Sequence, residues 1–336
     1  MVKRIISRII KERLQMKTLK NMIKTNKTST KKNKRTKKNK NKQTNKPTKK
    51  NIILQQVNCS PKDKKELNDF SCYKNGDLHK LRNLWNSRHP DHLIQTNTPS
   101  EIHHKLSLFM KDSCNKESCW LKQNFVQGSD LKKEMVNSFA PVSPKEWKKN
   151  PNEWLSSIDI NKVMKQYEKA YKCFDFIGPS PIDFDTRKIY GECVWEELCH
   201  FNLKKEIDQG KYKIGIVFNT DPHYKSGSHW ISLFINVKKA QIFFFDSAGN
   251  KAPPEILVLV NRIIKQGKEL KKPIHFKFDE NYPVEHQYGN TECGVYSLFF
   301  IIHMLVDKLS AQYLKTHRIS DKAVEKYRKV FFNDGL

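Results

Sequence analysis

At 336 residues the chain has room for one or two domains and a sizeable core. Its net charge of +28 is uneven: residues 1–50 hold 20 Lys and Arg against the single acid Glu12, so +19 of the total sits in that stretch. No apolar run approaches the roughly 20 residues that a bilayer crossing takes, so no transmembrane helix is expected, and the basicity belongs to a tail rather than to a folded body.

Residues 1–16 interleave Ile5, Ile6, Ile9, Ile10 and Leu14 with Lys3, Arg4, Arg8, Lys11 and Arg13. This basic amphipathic pattern suits a partner-binding helix or an anionic membrane surface. It lacks the unbroken apolar core and small-residue cleavage site of a secretory signal. From Lys24 to Lys50 the chain is mostly Lys, Asn and Thr with no large apolar side chain. Such a stretch buries too little surface to offset its ordering entropy, so residues 1–55 read as a basic, largely disordered tail. Positive charge this dense also binds nucleic acid non-specifically, through phosphate contacts.

Residues 56–140 read as a helical accessory region, with Leu78, Leu81, Leu84 and Trp85 at helical spacing, then Ile102, Leu106, Phe109 and Met110. Cys59, Cys72, Cys114 and Cys119 lie here, near His79, His89, His92, His103 and His104. Without a Cys-x-x-Cys pair the set reads as free thiols in a reducing compartment rather than as a zinc site. Structural disulfides are not expected among the eight cysteines; Cys173, Cys193 and Cys199 read as buried thiols.

Residues 141–336 carry the chemistry. Lys213–Asn219, Trp230–Val237 and Gln241–Phe245 are short runs rich in β-branched and aromatic residues, and read as neighbouring strands. His229 opens the second and Asp246 closes the third. An antiparallel hairpin turning at Lys238-Lys239-Ala240 would bring them together. Cys293 precedes a mostly apolar stretch, Gly294 to Leu305, that reads as a buried central helix. A thiol at that helix's N-terminus feels the positive end of the macrodipole and is placed to be a thiolate. Gly294 lets a substrate approach the backbone, the Cys293 N–H is one oxyanion donor, and the Gln287 amide is the other. His229 as base, Asp246 as its orienter, Gln287 and Cys293 as nucleophile thus form an ordered set; His223 and His286 read as loop residues.

At these positions the chain resembles the ubiquitin-like-protein-specific protease clan, which includes the SUMO proteases and the adenovirus maturation protease. The shared features are His-Trp, Asp after an aromatic strand, Gln, and Cys-Gly before an apolar helix, in that order. Trp154-Leu155-Ser156-Ser157-Ile158-Asp159-Ile160 is similar to the clan's Trp-Leu-Asn-Asp-x-Ile-Ile motif, with Ser-Ser in place of the polar pair. By that resemblance Trp154 and Trp230 would roof a tunnel for a Gly-Gly substrate tail. Phe174-Asp175-Phe176-Ile177-Gly178-Pro179, Pro181-Ile182-Asp183-Phe184 and Asn219-Thr220-Asp221-Pro222-His223 are similar to thiol proteases of large nucleocytoplasmic DNA viruses.

The resemblance implies an α+β, papain-like cysteine protease core with its nucleophile helix packed on a mostly antiparallel sheet. The catalytic set would be His229, Asp246 and Cys293, with Gln287 in the oxyanion hole. It implies a protein substrate, no cofactor and no active-site metal, and a site of action in the virion or host cytoplasm. The expected reaction is peptide-bond hydrolysis through an acyl-enzyme, maturing viral structural precursors or, in the second reading, deconjugating ubiquitin-like proteins. A third reading is a catalytically dead binding module.

Overall fold

The computed structural model describes residues 58–61 and 70–334. The basic tail and its nucleic-acid role lie outside the described residues. No helix among the described residues is long and apolar enough to cross a membrane.

Two helices, α1 (Asn75–Arg88) and α2 (Pro99–Phe109), come first, with short helical turns after them. The apolar spacing works as expected: Leu78, Leu81, Trp85, Ile102 and Leu106 are buried in a core of their own with Tyr73, Trp120 and Phe139. Phe109 stays exposed and stacks on Trp85 at 5.3 Å between ring centroids.

Next comes α3 (Ser157–Ala170), then β1 (Phe174–Pro181), β2 (Lys213–Asn219), β3 (Trp230–Asn236), β4 (Gln241–Phe245), α4 (Pro254–Lys268), β5 (Lys277–Glu280) and α5 (Cys293–Leu305). The strands form one sheet in chain order, β1-β2-β3-β4-β5. β3 pairs antiparallel with β2 and β4, while the outer strands β1 and β5 join in parallel. The sheet is therefore mixed, antiparallel only at its centre. The two outer strands escape a pattern reading because β1 contains Gly178, Pro179 and Pro181 and β5 is short and charged.

Alternation along the strands puts a layer on each face. Phe176, Val217, Phe234, Phe243 and Phe245 pack with α3 and α5, and Ile214, Ile216, Leu233, Ile235, Ile242 and Phe244 face α4. Every residue of α5 is buried, so it is the central helix of a three-layer α/β/α arrangement. Gly215 lets α5 come this close: a Cβ there would lie 2.7 Å from Cγ2 of Ile301.

The thiol expectation needs correction. Cys59 and Cys72, Cys114 and Cys119, and Cys193 and Cys199 are joined as disulfides, with Cα–Cα distances of 5.2, 5.6 and 6.3 Å. These separations fall in the range a disulfide accepts, and sequence spacing alone does not reveal them. Cys173 and Cys293 are free.

Candidate active site

The β3–β4 hairpin does what its sequence requires. It turns through Val237–Lys239 into Ala240, whose φ of 49° is left-handed, and its register pairs Ser232 with Phe245. That register sets Asp246 beside Ile231, and His229, two residues earlier on the same face, meets it diagonally, with His229 Nε2 2.6 Å from Asp246 Oδ1. The carboxylate also accepts from the Ala248 N–H at 2.9 Å and from Asn250 Nδ2 at 3.0 Å. Asp246 is itself clamped by the buried Asn281, whose Oδ1 accepts from the Asp246 N–H at 2.9 Å and whose Nδ2 donates to the Asp246 carbonyl at 2.8 Å.

Cys293 is the first residue of α5 and is 2% exposed. Its side chain meets His229, so the imidazole lies between a carboxylate and a thiol. With Nε2 committed to Asp246, Nδ1 is the nitrogen left for the sulfur. Burial pushes the His229 pKa down, yet the hydrogen bonds and charges of Asp246 and Cys293 outweigh it and hold the value up to about 10. Burial likewise opposes the Asp246 charge, but the imidazole beside it and the Ala248 and Asn250 donors keep its pKa below the usual carboxylate value.

Gln287 is held by the same β4 turn. Ser247 accepts the His286 and Gln287 N–H groups on its carbonyl, both at 2.8 Å, and its hydroxyl donates to Gln287 Oε1 at 2.8 Å. Gln287 Nε2 donates to the Gly289 carbonyl at 2.9 Å. A carbonyl only accepts, so this contact assigns the amide orientation and leaves one Nε2 proton to serve elsewhere. The following backbone is pinned by Asp321, which accepts from the Tyr288 and Gly289 N–H groups at 3.1 and 3.3 Å.

Trp230 is 9% exposed and donates its indole N–H to the Leu155 carbonyl at 2.9 Å. Trp154, 39% exposed, is not a core aromatic. Both line a cleft of about 570 Å³ together with Leu155, Trp195, Pro222 and Gly227. The Ser156-Ser157 departure has a structural use: Ser156 caps α3, accepting from the Asp159 N–H at 3.3 Å while Asp159 accepts from the Ser156 N–H at 3.1 Å.

The role expected of Gly294 needs revising. A Cβ there would meet Leu155 Cβ at 3.0 Å and Trp230 Cδ1 at 3.3 Å, so the missing side chain makes room for those two residues. His223 pairs with Asp183 at 2.6 Å, and His286 is buried against Phe245, where loss of solvent lowers its pKa to about 4. Asn281, Ser247 and Asn250 went unnoticed in the sequence. An Asx-type turn in Asp246-Ser247-Ala248-Gly249-Asn250 is the one local signal that pointed toward any of them.

A buried thiol at a helix N-terminus, met by an imidazole that a carboxylate orients, defines the thiol protease class. Residues 159–334 match the family described as Ulp1 protease family, C-terminal catalytic domain, and the chain belongs to that family. A protein of Acanthamoeba polyphaga mimivirus that carries a thiol-protease name is 33% identical over 186 residues, covering 54% of this chain. The chain spans 57% of that protein's length. A protein of African swine fever virus named SUMO-1 cysteine protease is 28% identical over 237 residues, covering 65% of this chain and 83% of that protein. The crystal structure of the African swine fever virus protease superposes with a TM-score of 0.60 at 23% identity, over 82% of this chain and 97% of that one, a likeness of fold.

Proposed function

We propose that the chain is a cysteine endopeptidase that matures precursor proteins of a virus particle, with residues 141–336 as its catalytic domain and 56–140 as an accessory region. The observation that carries the chemistry is the line Asp246–His229–Cys293, with the imidazole holding its proton at neutral pH. Cys293 Sγ attacks the scissile carbonyl to give a tetrahedral oxyanion, which accepts from the Cys293 N–H and from Gln287 Nε2. Collapse breaks the C–N bond, His229 gives its proton to the departing amine, and a thioester remains. His229, now neutral, takes a proton from water as the water attacks the thioester, and Cys293 leaves with the acid product released. Asp246 keeps the ring oriented throughout. Trp154 and Trp230 are the walls against which substrate lies.

The maturation reading is supported by the viral source of both relatives, and the virion or host cytoplasm is where it would act. The 20 basic residues of positions 1–50 would hold the enzyme on packaged nucleic acid. Two observations favour a second reading, deconjugation of ubiquitin-like proteins: two tryptophans line the cleft, one of them packed against Gly294, and the African swine fever virus relative is named a SUMO-1 cysteine protease. The test is labelling of the purified protein with an electrophilic probe built on a ubiquitin-family C-terminus, beside iodoacetamide, with adducts mapped by mass spectrometry. Alkylation of Cys293 without probe labelling supports maturation; a probe adduct on Cys293 moves the assignment to deconjugation. Absence of any preferred reaction at Cys293 overturns both.

A further inference from the structure

Glu292, the N-cap residue of α5, and Arg328, 36 residues further along the chain, are both buried and lie directly behind the nucleophile. Arg328 Nε is 3.0 Å from Glu292 Oε2 and Nη2 is 2.9 Å from Oε1. The same guanidinium donates from Nη1 to the Glu153 carbonyl at 2.8 Å. From Nη2 it donates to the carbonyls of Thr291 at 3.0 Å and Asn152 at 3.3 Å. Its carbon lies 4.6 Å from the centre of the Trp147 ring, and the Trp147 indole N–H donates to the same Glu153 carbonyl at 3.0 Å.

These partners belong to two segments that matter together. Asn152 and Glu153 immediately precede Trp154, a wall of the cleft. Thr291 and Glu292 immediately precede Cys293. One planar side chain thus bonds the backbone just before the wall and the backbone just before the nucleophile. Stability alone does not call for this arrangement, since an apolar pair of similar volume commonly replaces a buried ion pair without loss. A fork with several fixed donor directions does what an apolar pair and a lysine cannot, which is to set the separation of two strands of backbone.

We propose that Arg328 is a positioning residue: by tying Asn152 and Glu153 to Thr291 and Glu292, it fixes the distance between the Trp154 wall and the Cys293 turn. A substrate chain lying against Trp154 then presents its carbonyl to Sγ at attack distance. The inference rests on the roles proposed above for Cys293 and Trp154.

The test uses the full chain with Arg328→Lys and, because that variant risks misfolding, the apolar pair Arg328→Met with Glu292→Leu. Folded sites are counted as the fraction of each sample that unfolds cooperatively in urea, since iodoacetamide also alkylates the thiols of unfolded chains. Hydrolysis of a peptide ending in Gly-Gly-aminomethylcoumarin is then measured per counted site. We expect kcat/KM to fall on the order of 100-fold in both variants, the scale of a misplacement of about 1 Å. Iodoacetamide, which needs no second wall, should react within about threefold of the wild-type rate. A merely structural arginine predicts wild-type kcat/KM per counted site in whichever variant folds, and that result overturns the inference. If the wild type shows neither hydrolysis that Cys293→Ala removes nor a preferred reaction of Cys293 with iodoacetamide, the protease reading itself fails, and the inference with it.

Discussion

Replacing Asp246 with Asn keeps an oxygen where Oδ1 accepts from His229 at 2.6 Å and removes the charge. His229 holds its proton up to about 10 even though burial works against it. Relative to an ordinary value of about 6.5, at about 1.4 kcal/mol per unit, the rise corresponds to about 5 kcal/mol. Asp246 and Cys293 both contribute to it, so the imidazole of the variant should titrate below the wild-type value and lose part of that stabilisation. A raised basic group contributes stability that is fully present below about 6.5 and disappears as pH rises through about 10. The lowered Asp246 contributes stability that is present above its ordinary value of about 3.9 and disappears as pH falls through its folded value. The gap in unfolding free energy between wild type and Asp246→Asn should therefore be widest near about pH 5 to 6.5 and close toward about pH 10. Following the His229 ring nitrogens by NMR from acid to alkaline pH reads the midpoint, and urea unfolding at both ends reads the gap. A wild-type midpoint below pH 7, or one that Asn leaves in place, would refute the charge-pairing argument.

Cys293→Ala should abolish hydrolysis and still fold cooperatively, with a lower melting temperature because the thiol's share of the His229 pairing is lost, and residual turnover in the variant would remove Cys293 from the mechanism. Gln287→Ala should lower kcat by roughly 100- to 1,000-fold, about 3 to 4 kcal/mol of oxyanion stabilisation; an unchanged kcat would assign the second donor to another group. Ser247→Ala should cost less, about tenfold, since it frees the Gln287 amide without deleting it, and steady-state kinetics would show whether the order of the two holds. Trp154→Ala, at a half-exposed site, should raise KM with little change in melting temperature, whereas a collapse of the fold would mean that this indole is core after all.

The residues that do chemistry were legible because each sits at the junction of a strongly patterned element and a turn. His229 and Asp246 flank a hairpin whose strands are mostly β-branched and aromatic, and Cys293 opens a helix in which every residue is buried. The groups that hold them were not legible. Asn281 reaches the Asp246 backbone across 35 residues and Arg328 reaches the Glu292 carboxylate across 36, through long-range contacts that no local period encodes. The cysteines failed for the same reason, since pairing depends on how close the fold brings their Cα atoms rather than on spacing. The outer strands failed for another: proline and charge mask an edge position that is set by parallel pairing with a neighbour.

Gly294→Ala separates the two uses that the residue after a nucleophile can have. If its lack of a side chain serves only substrate approach, Ala leaves stability intact and raises KM. The added Cβ would instead lie 3.0 Å from Leu155 Cβ and 3.3 Å from Trp230 Cδ1, both tighter than ordinary contact. Neither neighbour has an easy retreat: Leu155 is 3% exposed, and its carbonyl is bonded to the Trp230 indole at 2.9 Å. Overpacking of this kind costs about 1 to 3 kcal/mol, of which about 1 is regained from the better helix propensity of Ala. Urea unfolding should therefore show a net loss of up to about 2 kcal/mol. Displacement of Leu155 and Trp230 moves one wall of the cleft, so kcat should fall along with stability. Unaltered unfolding with a raised KM would return Gly294 to the role of making way for substrate.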